Sequence, residues 1–390
     1  MKTTITSMAE ALSQEAVAIR RKLHRCAELS FREYETAAFV ADYLKNLGLF
    51  VETGIAKTGV VGFLDAGKEE TVLMRADMDA LPMEEESGTD FQSEHKGVMH
   101  ACGHDAHMAI ALCAAKLLWQ MKDCLCVNVL FVFQPAEESE GGADPMIQTG
   151  ILEKYRVTSA VGLHVMNDVP VGKILLKKGP LMAAPDDFDL TILGRGGHGA
   201  YPHKCIDPIS LSARVISELD TLNARTLSPF AQRVISVCMV QGGTTYNVIP
   251  DTVCMKGTVR TYDETLRREI PKQMEAIIGG ICAPFGASYD FRYHFRYPPL
   301  VNDAAMVAHM EQAASAVLGK DSIIIGTEPS MAGEDFAYFA KAVPSVYFYL
   351  GSGNEKSGIT MPLHSQNFEI DEDCLKVGVA AMASFVLIRD

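Results

Sequence analysis

The chain has 390 residues and a formal net charge of −14, and 48% of its residues are hydrophobic. This composition excludes wholesale disorder, and the length favours two domains over a single core. The acidic charge argues against nucleic acid or an anionic membrane surface as a partner. No stretch approaches the roughly 18 apolar residues of a membrane span, so we expect no membrane association.

The first residues lack the apolar run and cleavage site of a signal peptide. The 10 cysteines are scattered through the chain and form no regular framework. In a chain of this size the pattern is typical of reduced, buried thiols. We therefore expect a cytoplasmic protein.

The first half of the chain alternates between helical and strand-like patterns. Apolar positions at helical spacing predict helices over residues 10–29, 34–47 and 106–121. Short apolar, β-rich runs predict strands over residues 71–74, 127–133 and 159–164. Strands that alternate with helices indicate a layered α/β domain.

The pattern changes at about residue 186, where alternation over 187–193 predicts a half-exposed antiparallel strand. Two β-α-β-like passes follow, with helices over 207–222 and 263–278 and strands near 233–240, 253–260 and 288–293. The last segment returns to the earlier style, with a strand over 345–350 and a helix over 372–388. We therefore expect a discontinuous α/β domain, 1–184 and 298–390, and an inserted α+β domain, 185–297.

The segment His100–His107 holds three histidines, a cysteine and an aspartate within eight residues. These side chains offer lone pairs or charge to a divalent cation, and they are costly to bury unless something binds them. Cys102 and His104 alternate, so in extended or loop backbone they would face the same way. The segment therefore predicts part of a metal site.

Other donors follow predicted strands, where sites form in open α/β sheets. The pair Glu137 and Glu138 comes after one strand, His164 ends the next, and His364 lies in a loop after the last. Cys, His and Glu ligands suit Zn²⁺, Mn²⁺, Ni²⁺ or Co²⁺ and poorly suit Mg²⁺ or Ca²⁺. The expected metal ligands are Cys102, His104, Glu138, His164 and His364.

The adjacent carboxylates have separable roles because neighbouring side chains on an extended chain point apart. One can bind metal while the other remains free as a general base toward metal-bound water. We assign Glu138 to the metal and Glu137 to proton transfer.

Nine motifs in this order resemble one family and cover nearly the whole chain. They are R-A-D-M-D-A-L-P (75–82), H-A-C-G-H-D-A-H (100–107), Q-P-A-E-E (134–138), G-L-H-V (162–165), G-G-H-G-A-Y-P-H (196–203), N-V-I-P (247–250), G-T-V-R-T (257–261), G-E-D-F-A-Y-F (333–339) and P-L-H-S (362–365). The family is that of the metal-dependent amidohydrolases, a branch of the dinuclear metallopeptidase clan. It includes aminoacylases, hippurate hydrolases, N-acetyl-diaminopimelate deacetylases and plant auxin-conjugate hydrolases.

The resemblance implies an α/β dinuclear metallohydrolase domain with an inserted, smaller α+β (ferredoxin-like) lid and dimerisation domain. It implies metal-dependent hydrolysis of the amide bond of N-acyl-L-amino acids, such as N-acetyl or N-benzoyl compounds. It also implies a homodimer or higher homo-oligomer and two divalent metal ions per subunit, Mn, Zn, Ni or Co. The five expected ligands and the base Glu137 match the family's positions.

Further roles come from the resemblance alone. Asp79 matches the aspartate that orients a metal-ligand imidazole. Asp77 replaces the clan's metal-binding histidine, and its own contact with metal stays open. His198 matches a histidine that polarises the scissile carbonyl, often in the partner subunit. Asn247 and Arg260 match positions that hold the substrate's free carboxylate, a group that suits the planar fork of arginine.

Two alternative functions are compatible with parts of this pattern. A di- or tripeptidase of the same clan must recognise a free α-amino group, and no dedicated acidic anchor is apparent. A non-catalytic metal-dependent binding protein would be expected to have lost its base or ligands, yet Glu137 and all five ligand positions are intact. The sequence does not determine the acyl group, the amino acid or the native ion.

Overall fold

The structure is a computed structural model that describes residues 1–389, and the chain separates into two compact units. Unit 1 comprises Met1–Leu181, Val301–Glu328 and the chain from Asp335 onward. Unit 2 comprises Met182–Leu300 and Pro329–Glu334. The predicted insert, 185–297, lies inside unit 2, whereas the short segment 329–334 joins unit 2 from outside the predicted boundaries.

The bounds of the regular elements are as follows. The α-helices are α1 (Lys2–Ala11), α2 (Ser13–Arg25), α3 (Tyr34–Asn46), α4 (His104–Gln120), α5 (Ala143–Gln148), α6 (Ile151–Lys154), α7 (Pro208–Thr221), α8 (Glu264–Cys282), α9 (Ala304–Leu318), α10 (Ala337–Ala342) and α11 (Asp373–Leu387). The strands are β1 (Phe50–Ile55), β2 (Gly59–Leu64), β3 (Thr71–Asp77), β4 (Asn128–Gln134), β5 (Val157–Pro170), β6 (Ile174–Leu176), β7 (Gly179–Met182), β8 (Ala184–Leu193), β9 (Gly197–His198), β10 (Arg233–Gly242), β11 (Val248–Ile249), β12 (Thr252–Thr261), β13 (Ser288–His294), β14 (Leu300–Asn302), β15 (Ile323–Ile325) and β16 (Ser345–Gly353).

Most helix ends follow local chemistry that the sequence displays. Asp207 accepts hydrogen bonds from the first backbone N–H groups of α7, and Pro208 occupies the first helical position. Gly48 follows α3 with a φ of 85°, as a helix C-terminus often requires. The predicted helix over 10–29 is instead the end of α1 and all of α2, which are separated at Leu12. No helix among the described residues is long and apolar enough to cross a membrane.

Unit 1 is built on an eight-stranded sheet with the order β1-β2-β4-β3-β5-β16-β6-β15. The central strands β3, β4, β5 and β16 run parallel to their neighbours in this group. Every residue of β3, β4 and β16 is buried, as expected for parallel strands covered on both faces. Helices α2, α4 and α11 pack together, and α4 contacts β3.

Parallel pairing brings the carboxyl ends of the central strands of unit 1 to one edge. Asp77 at the end of β3 lies opposite Gln134 at the end of β4. His164 lies in β5, which is the neighbour of β3 on its other side. The ends of β3 and β4 therefore meet at one edge of the sheet, whereas His164 is an interior residue of β5 and not, as predicted, its last residue.

Unit 2 contains a β-α-β-β-α-β arrangement made of β8, α7, β10, β12, α8 and β13. Its antiparallel sheet has the order β10-β12-β8-β13. This is the ferredoxin-like pattern, which agrees with the predicted α+β insert. Pro271 lies inside α8, which nevertheless continues over 19 residues.

Candidate metal centre

The structure brings the five predicted ligands together in unit 1. Candidate ligand atoms of Cys102, His104 and His164 lie within 4.8 Å of one another, as do those of Cys102, Glu138 and His364. Cys102 Sγ is 3.3 Å from His164 Nε2. Glu138 Oε1 is 3.8 Å from His104 Nε2 and 3.2 Å from His364 Nε2. Five donors from four separate chain segments thus converge on one place.

Special backbone geometry positions three of these donors. Gly103 has a φ of 79° and forms the turn between Cys102 and the first residue of α4, His104. A Cβ atom at Gly103 would lie 2.4 Å from Val165 Cγ2, so a larger residue would force the turn to move. His364 also has a positive φ, 63°, and its N–H donates to the carbonyl of Ala101.

The hydrogen bonds of two imidazoles leave the Nε2 atoms available to a metal. His104 Nδ1 is 2.8 Å from the carbonyl oxygen of Asp79, and His164 Nδ1 is 2.7 Å from that of Val165. A carbonyl only accepts, so each Nδ1 carries a proton, and in the neutral ring Nε2 is the nitrogen that offers a lone pair. Within residues 1–389, the buried His104 Nε2 has no hydrogen-bond partner, and Glu138 Oε1 lies 3.2 Å from the imidazole of His364. The donor set therefore fits a divalent cation.

The protonation equilibria of these residues also reflect an excess of negative charge. Burial raises the pKa of the Cys102 thiol, and the negative charges of Glu138 and Glu137 raise it further, to well above its usual range. Burial lowers the pKa of His104, but the negative charges of Asp77 and other nearby carboxylates outweigh burial and raise it to about 10. A divalent cation would neutralise this charge and favour the thiolate.

The carboxylate of Asp77 is already bound by protein groups. Its Oδ1 accepts from His107 Nδ1 at 2.6 Å, and its Oδ2 accepts from Arg75 Nη1 at 2.6 Å. Burial raises the pKa of Asp77, but Arg75, His104 and His107 together outweigh burial and hold the pKa well below the usual range. Its nearest approach to His104 Nε2 is 3.7 Å. This geometry favours a supporting role for Asp77.

Asp79 binds the backbone of the segment that carries the two glutamates. Its Oδ1 accepts from the N–H of Glu137 and its Oδ2 from the N–H of Glu138, both at 3.0 Å. The Ser30 hydroxyl donates to the same Oδ2 at 2.7 Å. The hydrogen bond to the His104 imidazole goes to the backbone carbonyl of Asp79, while Oδ1 lies 3.5 Å from Nδ1. Asp79 thus links a candidate ligand to the segment that holds another.

Glu137 is 8% exposed and lies beside the candidate ligands. A carboxylate oxygen of Glu137 is within 4.8 Å of ligand atoms of His104 and Glu138. The two adjacent glutamates therefore share the site, and Glu138 makes the contact with His364. This arrangement is compatible with one ligand and one base.

The other predicted site residues lie in unit 2. His198 in β9 pairs with Val248 in β11, and the N–H of Gly199 donates to the carbonyl of Asn247. His198 and Asn247 are therefore neighbours. His198 is exposed, and its Nδ1 accepts the N–H of Ala200 at 3.0 Å, which leaves the proton on Nε2. Arg260 is on a different strand, β12.

Sequence reasoning missed Ser30, Glu33 and Arg75, and it left the role of His107 open. Arg75 and His107 lie inside the motifs, two residues before Asp77 and three after His104, which is a usable signal. Ser30 and Glu33 lie between two predicted helices, and nothing in their neighbourhood indicates a link to the metal ligands. Their contacts exist only in the folded chain.

The chain is similar to known proteins over most of its length. The family described as Peptidase family M20/M25/M40 matches residues 73–388. Thermostable carboxypeptidase 2 of Saccharolobus solfataricus is 41% identical over 372 residues, which cover 94% of this chain and 93% of the relative. The N-acyl-L-amino acid amidohydrolase of Geobacillus stearothermophilus is 41% identical over 330 residues, 84% of this chain and 89% of the relative.

Two further similarities come from Bacillus subtilis. Its N-acetyl-L-cysteine deacetylase is 39% identical over 366 residues, which cover 93% of this chain and 85% of the relative. The crystal structure of its YXEP protein, described as a dinuclear metal binding peptidase, superposes with a TM-score of 0.85 at 33% identity. That superposition covers 97% of this chain and 98% of the other.

Proposed function

The chain belongs to the peptidase family M20/M25/M40 and is a metal-dependent amidohydrolase, and we propose that its substrates are N-acyl-L-amino acids. Hydrolysis would release the free amino acid and a carboxylate. The observation that carries the proposal is the convergence of five candidate ligands beside a further buried carboxylate, Glu137. Relatives named as an amidohydrolase and a deacetylase support the same bond type.

We assign two divalent ions to the centre, as the name of the YXEP structure supports, and we expect Mn²⁺, Zn²⁺, Ni²⁺ or Co²⁺. The residues that would hold them are Cys102, His104, Glu138, His164 and His364. When bound, such ions polarise a carbonyl oxygen and lower the pKa of a water molecule. For His104 and His164, backbone carbonyls hold the Nδ1 protons, so Nε2 is the nitrogen that would face a metal.

Glu137 is the proposed general base. It would accept the proton of the attacking water and pass it to the nitrogen of the leaving amino acid. Asp79 fixes the backbone N–H groups of Glu137 and Glu138 with its two carboxylate oxygens, so the base and the neighbouring ligand are positioned together.

Residues of unit 2 would bind the substrate. His198 would donate its Nε2 proton to the oxygen of the scissile amide, in its own subunit or in the partner subunit of a homodimer. The tautomer set by the N–H of Ala200 supports this role. Asn247 and Arg260 would hold the free carboxylate of the amino acid.

A carboxypeptidase activity is the second candidate, because a 41% identical relative is named as a carboxypeptidase. Both activities cleave an amide bond next to a residue with a free carboxylate, so the same groups of unit 2 would serve. This candidate differs from a di- or tripeptidase because it needs no recognition of a free α-amino group. Family membership and relatives named as hydrolases argue against a non-catalytic binding protein.

A substrate panel tests the proposal. The protein, stripped of metal and reconstituted with each of the four ions, is assayed with N-acetyl, N-benzoyl and indole-acetyl amino acids. N-blocked dipeptides are included, and Glu137→Gln serves as the matched inactive variant. We expect release of free amino acid by the wild type and a fall in kcat of about 10²–10⁴-fold in the variant. Cleavage of N-blocked dipeptides alone would favour the carboxypeptidase, and an active Glu137→Gln protein would contradict the base assignment.

Location and assembly are proposals of the same kind. All ten cysteines are free thiols, which supports a reducing compartment such as the cytoplasm. We also propose a homodimer, which sedimentation of the purified protein would test directly.

A further inference from the structure

The backbone N–H groups of three successive residues, Ala136, Glu137 and Glu138, donate hydrogen bonds to buried carboxylates. Those of Glu137 and Glu138 donate to Asp79, and that of Ala136 donates to Glu33 Oε1 at 3.0 Å. Glu33 lies 103 residues away from Ala136 in the chain. We call residues 135–138 the glutamate loop.

The backbone of the glutamate loop explains why it needs such support. Ala136 has a φ of 57°, in the left-handed region that L-residues with a Cβ rarely adopt. Its side chain is fully buried, and its carbonyl accepts from the N–H of Gly141. This conformation redirects the chain after β4, so that the next two residues enter the metal centre. A strained conformation persists only where the surroundings hold it.

The contacts of Glu33 can stabilise this backbone conformation. It is fully buried, and its Oε1 also accepts from the N–H of Phe31 at 2.9 Å. Its Oε2 accepts from the hydroxyl of Thr58 at 2.5 Å. Both oxygens are therefore occupied, and the carboxylate spans three separate chain segments. Burial raises the pKa of Glu33, and the hydrogen bond from Thr58 opposes that shift.

We propose that Glu33 is a positioning residue for the metal centre, which acts by holding the N–H of Ala136 and thereby setting the directions of Glu137 and Glu138. It touches neither metal nor substrate in this role. The effect on metal binding concerns the ligand Glu138, and the effect on turnover rests on the proposed function through Glu137.

Three substitutions of Glu33 separate the hydrogen bond from charge and from packing. Glu33→Gln keeps one oxygen that can accept from Ala136 and places an amide beside Thr58. Glu33→Ala removes the acceptor. Glu33→Asp keeps the charge but shortens the side chain by one methylene, so that it no longer reaches the loop, and it also provides a readout if the alanine variant fails to fold.

Glu28 offers a matched control. Its carboxylate accepts from the N–H groups of Tyr34, Glu35 and Thr36 at the start of α3, in the same chain segment as Glu33, and it has no hydrogen bond to the glutamate loop among those observed. Glu28→Ala should therefore weaken the N-terminus of α3 without changing the metal centre. Any effect shared by both sites reflects the stability of this segment alone.

The measurements are the Mn²⁺ affinity of the metal-free protein, the visible spectrum of the Co²⁺ form, and kcat and KM separately. We expect Glu33→Ala and Glu33→Asp to weaken Mn²⁺ binding about 10–100-fold, to change the Co²⁺ spectrum, and to lower kcat more than they raise KM. Glu33→Gln should stay close to wild type in all three, and Glu28→Ala should bind Mn²⁺ normally.

Two results would overturn the proposal. One is a folded Glu33→Ala or Glu33→Asp protein with wild-type Mn²⁺ affinity and spectrum. The other is a Glu33→Gln protein as impaired as the alanine variant, since the retained oxygen would then not be what matters. If the wild type hydrolyses no N-acyl amino acid, the proposed function fails, but the Mn²⁺ and Co²⁺ measurements still decide the role of Glu33.

Discussion

His107 Nε2 accepts the backbone N–H of Val165 at 2.9 Å. Val165 directly follows the candidate ligand His164, so this hydrogen bond fixes the backbone of β5 next to the ligand. The other ring nitrogen of His107 donates to Asp77 Oδ1. Both ring nitrogens of His107 are therefore engaged in hydrogen bonds within the protein. His107 and Asp77 therefore stabilise the backbone next to the candidate ligands.

The geometry of Asp77 predicts the effect of Asp77→Asn. We expect the bound metal to stay at two ions per chain, because both oxygens of Asp77 already accept short hydrogen bonds from protein groups. The free energy of unfolding should fall by about 1.5–3 kcal/mol, because Arg75 loses a charged hydrogen bond and keeps Asp335 as a partner. Elemental analysis and urea unfolding give the two quantities. Loss of one ion per chain would instead identify Asp77 as a ligand.

Cys102→Ala should have the opposite pattern. The substitution removes a donor that lies 3.3 Å from His164 Nε2, so we expect bound metal to fall from two ions toward one per chain. Cys113→Ala is the matched control, because Cys113 is a fully buried thiol of α4 that is outside the candidate metal clusters. Unchanged metal content in Cys102→Ala, measured beside this control, would remove Cys102 from the ligand set.

The sequence predicts where the candidate site lies better than it predicts the residues that position the candidate ligands. Asp77 and Glu138 follow apolar runs that predict buried strands, and His164 ends another such run; the parallel order of those strands brings these residues to one region of the sheet. Ligand chemistry is visible in the residue types themselves. The α+β character of the insert is also predictable from the periodicity of its strands and helices, whereas its ferredoxin-like form is implied by the family resemblance.

The contacts that position the candidate ligands depend on tertiary structure and produce no recognisable local sequence pattern. Glu33 accepts a hydrogen bond from an N–H group 103 residues away, at Ala136. This support is needed because Ala136 has a positive φ, and a positive φ at a non-glycine residue cannot be predicted from the sequence. The separation of α1 from α2 at Leu12 was missed for a related reason, because a run of helical spacing continues through it. Which side chains hydrogen-bond to which backbone groups is determined by the tertiary structure.

Mixed dimers test whether His198 acts on the partner subunit's metal centre. His198→Ala and Glu137→Gln proteins should each be inactive alone. If His198 serves the partner subunit, one of the two sites in each heterodimer regains both groups, so a randomised equal mixture should recover about one quarter of wild-type activity. We expect this recovery, measured as release of free amino acid after subunit exchange. Verified heterodimers without activity would place both groups in the same chain.

The stability of unit 2 should depend on the buried pair Asp186 and Arg267. Arg267 donates to both oxygens of Asp186, at 2.8 and 2.7 Å, and the N–H of Arg296 and the hydroxyl of Tyr293 donate to the same carboxylate. Asp186→Ala leaves a guanidinium that is 4% exposed without this partner, so we expect a loss of about 3–5 kcal/mol in the free energy of unfolding.

Glu269→Ala is the control for this last substitution, because it breaks an exposed pair with Lys272 in the same helix. That pair should contribute no more than about 1 kcal/mol. Urea unfolding of both variants, followed by circular dichroism, supplies the comparison. Since Asp186 belongs to unit 2 and all five candidate ligands belong to unit 1, the folded Asp186→Ala protein should retain its full metal content. Equal stability of the two variants would show that the buried carboxylate is not required for the fold of unit 2.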